Sequence, residues 1–225
     1  MGTEPGLRES KKQETRQLIS DCATRLFIEQ GFEQTTIAEI AAAARVAKKT
    51  VTNYFPRKED LALDHHEAFT QLLARTVAER APGETPLVAL GRAFRATLVG
   101  HSPVAGFTGL AFARMVDDSP TLGARLRELH DLREEALAEA LAAATPQTAP
   151  AIAPRIAAAL IAAADRLLFR RVQELTLAGR TDDEIEAELT PEADHAYVLL
   201  LAALGDHPAA GTGTATTTAT ATGNA

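Results

Sequence analysis

The chain has 225 residues, with 23 Lys or Arg against 30 Asp or Glu, a formal net charge of −7, and 46% hydrophobic residues. These values fit a globular protein of one large or two small domains. No apolar run predicts a membrane span, and the polar first residues predict no secretory signal. The single cysteine, Cys22, excludes an internal disulfide and favours a reducing, cytoplasmic location.

Apolar residues recur at intervals of three and four along most of the chain, so the sequence predicts an all-α fold. Gly31 is a C-terminal cap, and Thr36 followed by Glu39 is a capping-box pattern. Three residues separate the second predicted helix from the third, which is helix-turn-helix spacing. These first three predicted helices cover residues 11–30, 37–44 and 48–55.

Seven further helices are predicted after Pro56, and the first is a long one that opens at Arg57. Ser119 and Pro120 are the N-cap and first helical residue of another. The seven predicted helices cover residues 57–81, 86–100, 105–116, 120–144, 151–178, 182–189 and 191–204. The predicted units are a frayed N-terminus at 1–10, a helix-turn-helix DNA-binding domain at 11–56, a helical ligand-binding and dimerisation domain at 57–205, and a disordered low-complexity tail at 206–225.

The segment from Ile40 to Lys58 contains no Asp or Glu, although the chain is acidic overall. On the third predicted helix, Val51 and Phe55 face inward by helical periodicity. The outward residue types suit a DNA groove: Lys neutralises phosphate, Asn and Thr read base edges, and Tyr donates to phosphate. These outward residues are Lys48, Lys49, Thr50, Thr52, Asn53 and Tyr54.

Two other classes of function remain open on this evidence. A cationic helix face is often only solvated, so the alternative is a helical protein-interaction module that uses residues 45–58 without DNA. A small helical enzyme is the third possibility. It has little support, because the sequence lacks a Gly-rich phosphate loop, HExxH and GxSxG, and because His101, His130 and His195 are isolated. We therefore predict no catalytic residue, no metal site and no cofactor.

The segment LFIEQGFEQTTIAEIAAAARVAKKTVTNYFPRKEDL, residues 26–61, resembles the DNA-binding domain of the TetR family of bacterial repressors. The resemblance implies a homodimer that binds a palindromic operator and is released by a small molecule. Arg45 stands where the family usually has Gly, and Ala47 where a Ser or Thr cap is common, so the turn is expected to be strained and uncapped. The implied DNA contacts are Thr35, Thr36, Lys48, Lys49, Thr50, Thr52, Asn53, Tyr54 and Lys58.

Residues 86–116 combine large apolar residues with glycines, which predicts either an adaptable cavity or plain core. The resemblance implies a cavity here for an apolar or amphipathic effector, and dimerisation through the helices at 151–178 and 191–204. Those helices are more apolar than one core face requires. The long helix at 57–81 is expected to act as a rigid lever between cavity and DNA. The candidate cavity residues are Phe94, Leu98, Phe107, Leu110, Phe112, Met115 and Leu168.

Overall fold

The computed structural model describes residues 6–145 and 150–205, and helices dominate both ranges. Neither range contains a helix long and apolar enough to cross a bilayer. The first five residues and the predicted tail at 206–225 lie outside the described residues. The helices are α1 Leu7–Gln30, α2 Ile37–Ala43, α3 Lys48–Tyr54, α4 Lys58–Ala62, α5 His66–Ala78, α6 Pro86–Val99, α7 Leu110–Asp118, α8 Pro120–Ala144, α9 Ala153–Leu177 and α10 Asp182–Leu204, with a 3₁₀ turn at Pro103–Ala105.

Helices α1 to α3 form around one apolar cluster, and their predicted caps are confirmed. The Thr36 hydroxyl accepts the Glu39 N–H at 3.3 Å, and the Glu39 carboxylate accepts the Thr36 N–H at 2.8 Å, so both halves of the capping box are present. Val51 and Phe55 are buried in the cluster, together with residues of α1 and α2. The predicted inward face of the third helix is therefore confirmed.

The predicted long helix at 57–81 is wrong, because the chain leaves the helix between α4 and α5. Leu63 has φ −100° and ψ 52°, and α5 starts again at His66. The break has no Gly or Pro. It is held by tertiary and local contacts instead: Arg16 pairs with Asp64, and the His66 ring bonds the Leu63 carbonyl at 2.9 Å. The segment that was expected to form one rigid lever is thus two separate helices, α4 and α5.

Two other helix boundaries also differ from prediction. Helix α7 starts at Leu110 rather than near 105, because Gly106 and Gly109 adopt positive φ angles of 110° and 76°. Helix α10 is one helix rather than two, and it passes through Pro191. Its buried residues lie on one continuous stripe on both sides of the proline, so packing holds the helix together despite the lost hydrogen bond. That stripe is Ile185, Leu189, Ala193, Leu200 and Leu204.

Helices α5 to α10 enclose further apolar clusters and one buried ion pair. Arg133 of α8 donates to Asp165 of α9 at 3.0 Å, and both side chains are about 5% exposed. Tyr197 of α10 packs on Phe94 of α6, with ring centroids 6.2 Å apart. The apolar cluster of α1 to α3 also includes Met115 of α7 and Leu122 of α8. The two halves of the chain therefore share a core.

Candidate nucleic-acid interface and internal cavity

Helix α3 presents a polar, cationic face to solvent. Lys48, Lys49, Thr52 and Asn53 are exposed, and Thr50 and Tyr54 are half-buried at its edges. The Thr52 hydroxyl bonds the Lys49 carbonyl at 3.1 Å, so its oxygen can still accept a bond from outside. A seven-residue helix with one buried face and amide, hydroxyl and ammonium groups on the other has the size and chemistry of a major-groove reader.

The cations of this face are not neutralised by the protein itself. Among the described residues, Arg45, Lys48 and Lys49 form no ion pair, whereas Arg57 binds Glu128 at 2.9 Å. Unpaired exposed cations bring the strongest attraction to a polyanion, because no internal bond must break first. The free charge of the segment is therefore concentrated on and just before α3.

Thr35 and Lys58, both expected to contact DNA, make hydrogen bonds within the fold. Thr35 is 1% exposed, and its hydroxyl donates to the Gly31 carbonyl at 2.9 Å. The Lys58 ammonium donates to the carbonyls of Phe32 at 2.8 Å and Thr35 at 3.1 Å, and lies 4.2 Å from the Phe32 ring centroid. Both groups thus bind carbonyls around the α1–α2 connection, and Lys58 remains half-buried. Thr36, by contrast, is exposed at the start of α2.

The turn before α3 has the two departures that the sequence showed. Arg45 has φ 55°, a left-handed conformation that costs a residue with a Cβ about 1–2 kcal/mol. Ala47 is the N-cap of α3 and makes no side-chain cap bond. The N–H groups of the first turn of α3 are therefore not capped by a side chain and can donate to a phosphate oxygen.

The first helix adds cations that sequence reasoning did not assign to this face. Lys11, Lys12 and Tyr54 line one shallow surface depression. Helical periodicity places Lys11 and Lys12 on α1, but only the structure shows that they lie beside the end of α3. Lys12 is paired with Glu9 at 3.6 Å, so Lys11 is the freer of the two.

A cavity of about 340 Å³ lies between α1, the α4–α5 break and helices α7 to α9. Its floor is apolar and aromatic, and its polar groups come mainly from α1 and from the break. No Arg or Lys lines it. This size and lining suit a small organic molecule. The main apolar lining residues are Leu63, Phe69, Phe107, Phe112, Leu126, Leu129 and Phe169.

Only two of the seven predicted cavity residues, Phe107 and Phe112, line this space. The other five lie in the core or on the surface, and α6 itself packs against α5 and α10. Phe94, Leu98 and Leu168 belong to one buried cluster, Met115 lies in the shared core with α1 to α3, and Leu110 is 36% exposed. The sequence did not predict that Phe69, Leu129 and Phe169 line the cavity, because no local signal shows that α5, α8 and α9 meet there.

His130 supports the cavity floor from behind. Its ring makes edge contacts with Phe69 and Phe169, at centroid distances of 5.0 and 5.3 Å. Burial lowers the pKa of His130 to about 4, and the nearby charges of Arg133, Arg166 and Arg170 lower it in the same direction. The imidazole is therefore neutral at physiological pH and acts as a packing group.

One group of side chains in the described ranges has the spacing of metal ligands: His101, Asp183 and Glu186. The His101 Nε2 lies 2.9 Å from a Glu186 oxygen and 3.8 Å from an Asp183 oxygen. Acidic residues in the first turn of α10 also complement that helix terminus, and Glu186 bonds the imidazole directly. These contacts account for the group without a metal ion.

The sequence matches known proteins over part of its length. Residues 19–64 match the family described as bacterial regulatory proteins, tetR family. A stretch of 139 residues is 35% identical to the HTH-type transcriptional regulator TcmR of Streptomyces glaucescens and covers 60% of this chain. The match spans 62% of TcmR, less than two thirds of that protein's length.

Solved structures share the fold over most of the chain. A protein assigned to the TetR family from Syntrophomonas wolfei str. Goettingen superposes with a TM-score of 0.56 at 22% identity, covering 83% of this chain and 96% of that one. A SmeT–triclosan complex superposes with a TM-score of 0.54 at 19% identity, covering 84% and 91%. At this level of identity the likeness shows the architecture: an N-terminal helix-turn-helix followed by a helical domain.

Proposed function

We propose that this chain, whose N-terminal domain belongs to the tetR family of bacterial regulatory proteins, is a dimeric transcriptional repressor that a small molecule releases from its operator. The observation that carries the proposal is the exposed face of α3, with its unpaired cations, in a helix-turn-helix. We place the DNA-binding domain at 11–56 and the helical ligand-binding and dimerisation domain at 57–205.

The face of α3 divides into groups that read bases and groups that bind phosphate. Lys49, Thr52 and Asn53 are exposed at the centre of the helix and would contact base edges in the major groove. Lys48, Thr50 and the Tyr54 hydroxyl lie at its ends and sides, where they would bind the flanking phosphates with Thr36 and Lys11. The uncapped start of α3 adds backbone N–H donors to this second group.

A second copy of the chain is the partner that fits the exposed apolar face of α9 and α10. Seven of the thirteen large hydrophobic side chains exposed in the described residues lie between 152 and 201. Burial of apolar area of this kind stabilises a dimer by about 25 cal/mol for each Å² removed from water. A two-fold dimer would place two copies of α3 on one duplex, about one helical turn or a multiple apart. The seven are Ile152, Ile156, Leu160, Leu167, Val198, Leu199 and Leu201.

The cavity would hold the effector, an apolar or amphipathic molecule with an aromatic part. Four phenylalanine rings supply its floor, and polar groups at its edge can fix an orientation. The SmeT structure, which has a similar overall fold, is a complex with triclosan. The cavity touches α1 and the start of α5, so an effector would lie next to the DNA-binding domain.

The test is selection of duplexes from a random-sequence library by the purified protein. We expect enrichment of a palindrome and binding with a Kd of about 10⁻⁸ to 10⁻¹¹ M at physiological salt. Asn53→Ala should cost about 1–3 kcal/mol on the selected duplex and little on random DNA. The control, Gln30→Ala, removes an exposed amide outside α3 and should change neither. Failure to enrich any sequence would refute the proposal.

A further inference from the structure

The wall of the cavity is shared between the DNA-binding domain and the rest of the chain. Helix α1 contributes Gln17, Ser20, Asp21 and Thr24, and the α4–α5 break contributes residues 62–66. Ser20 is 4% exposed and lines the cavity from α1. A molecule in this space would therefore touch the first helix of the DNA-binding domain directly.

Arg16 connects this wall to the end of the recognition helix. Its guanidinium forms an ion pair with Asp64, which lines the cavity at the break. The same guanidinium carbon lies 4.7 Å from the ring centroid of Phe55. Phe55 is the residue that ends α3, and its N–H bonds the Val51 carbonyl at 2.9 Å. One side chain thus contacts the cavity wall on one side and the recognition helix on the other.

Two further ion pairs, Arg57–Glu128 and Arg125–Asp60, join the α4 region to α8, and the first is much more exposed than the Arg16–Asp64 pair. The Arg16 and Asp64 side chains are 28% and 14% exposed, whereas those of Arg57 and Glu128 are 54% and 46% exposed. Neither Arg57 nor Glu128 lines the cavity. A pair shielded from solvent depends more strongly on its geometry, because water cannot replace the lost contact as easily.

We propose that the Arg16–Asp64 pair is the contact through which an occupied cavity lowers operator affinity. The inference rests on the proposed function. A molecule that fills the space between α1 and the break moves Asp64 away from Arg16. Arg16 then no longer holds Phe55, and the end of α3 shifts from the position that fits the operator. Linkage makes the effect reciprocal: operator binding favours the intact pair and disfavours occupancy by the same factor.

The experiment fills the cavity by substitution, so it does not depend on an identified effector. Leu126 lines the cavity from α8 and is half-buried, and Leu126→Trp places a larger apolar ring there. We expect Leu126→Trp to weaken binding to the selected operator about tenfold. Asp64→Asn should weaken it by a similar factor, and the double variant should be within twofold of Asp64→Asn alone. Asp64→Glu keeps the negative charge, so Leu126→Trp should still weaken operator binding in that background.

The matched control is Glu128→Gln, which weakens the contacts of Glu128 with Arg57 and Arg125 but changes no residue that lines the cavity. In that background Leu126→Trp should still weaken operator binding about tenfold. Additive effects of Leu126→Trp and Asp64→Asn would overturn the proposal. The proposal would also be overturned if Glu128→Gln abolished the effect of Leu126→Trp on operator binding as fully as Asp64→Asn does. Thermal melting checks the fold of each variant, and Val116→Phe is a second cavity-filling change, also half-buried. If neither filled cavity affects operator binding, the pair has no such role.

A second readout separates failure of this inference from failure of DNA binding. Nitroxide labels at Thr52→Cys on α3 and Arg127→Cys on α8 report the position of the recognition helix in the DNA-free protein, in a Cys22→Ala background. Both sites are exposed. In the protein with Asp64, Leu126→Trp should change the distance between the two labels. In the Asp64→Asn background, Leu126→Trp should leave that distance unchanged. A protein that selects no operator but shows this shift would refute the proposed function alone. An unshifted distance in the presence of Asp64 would refute the inference.

Discussion

Lys58 stabilises the DNA-binding domain in a way that its sequence context does not reveal. Its charge and position before a helix predict a phosphate contact, yet its ammonium is bound to the backbone carbonyls of Phe32 and Thr35 and lies over the Phe32 ring. The sequence could not show this, because the carbonyls belong to a connection more than 20 residues earlier. Lys48, with the same charge, is exposed and has no ion-pair partner among the described residues.

The two lysines should therefore respond differently to the same substitution. Lys58→Met should lower the free energy of unfolding by about 1–3 kcal/mol, since buried carbonyls lose a charged donor. Lys48→Met should change the stability by less than about 0.5 kcal/mol and reduce the salt dependence of operator binding. Urea denaturation and binding at several salt concentrations measure these effects. A stable Lys58→Met variant with a flattened salt dependence would restore the phosphate role.

Capping signals at single residues were reliable guides to helix ends. Thr36 with Glu39, Ser119 with Pro120, and Gly31 act within a few residues of themselves, and the structure has each cap where the sequence placed it. The strained turn at Arg45 was predictable for the same reason, since the left-handed conformation is a local property.

Helices α4, α5 and α10 show where local signals fail. The break at Leu63 to His65 contains no helix-breaking residue, and the contacts that hold it include an ion pair to α1, 48 residues earlier in the chain. Helix α10 contains a proline and continues, because the apolar stripe on both sides of it packs against α6 and α9. The cavity position follows from these long-range contacts, which is why only two of its residues were predicted.

His130 of α8, which packs behind the cavity floor, should make the free energy of unfolding depend on pH. Because the pKa of His130 is about 4 in the folded protein and about 6.5 when unfolded, the unfolded chain binds more protons between these values. The free energy of unfolding should therefore fall as the pH is lowered from 6.5 to 4, by up to about 3 kcal/mol from this residue. Denaturation of the wild type and of His130→Gln over this range measures the effect.

Comparison of the two proteins removes the contribution of carboxylates, which also titrate in this range. The wild type should lose more stability than His130→Gln on acidification. His195→Gln, at an exposed position on α10, should behave like the wild type. Parallel curves for wild type and His130→Gln would contradict the assignment of a depressed pKa to His130.

At the scale of the whole molecule, the proposed dimer should depend on the exposed face of α9 and α10. Leu160→Glu or Leu199→Glu places a charge in the proposed interface, where it would be buried without a partner, and should yield monomers at micromolar concentration. Val99→Glu, at a 65% exposed apolar residue of α6, is the matched control and should remain dimeric. Light scattering distinguishes these cases. Dimers of both interface variants would place the contact elsewhere.

The two tyrosines give this molecule an unusual optical property. The chain has no Trp and only two Tyr, so its intrinsic emission comes from Tyr54 at the edge of the recognition helix and Tyr197 in the core of the second half. Tyr54 is half-exposed, whereas Tyr197 packs on Phe94 and against α6. Because Phe94 and α6 cover part of Tyr197, a quencher dissolved in the buffer should reach that ring less readily than Tyr54. The accessible part of the emission reports the DNA-facing surface, and the protected part reports the integrity of the core, without any label.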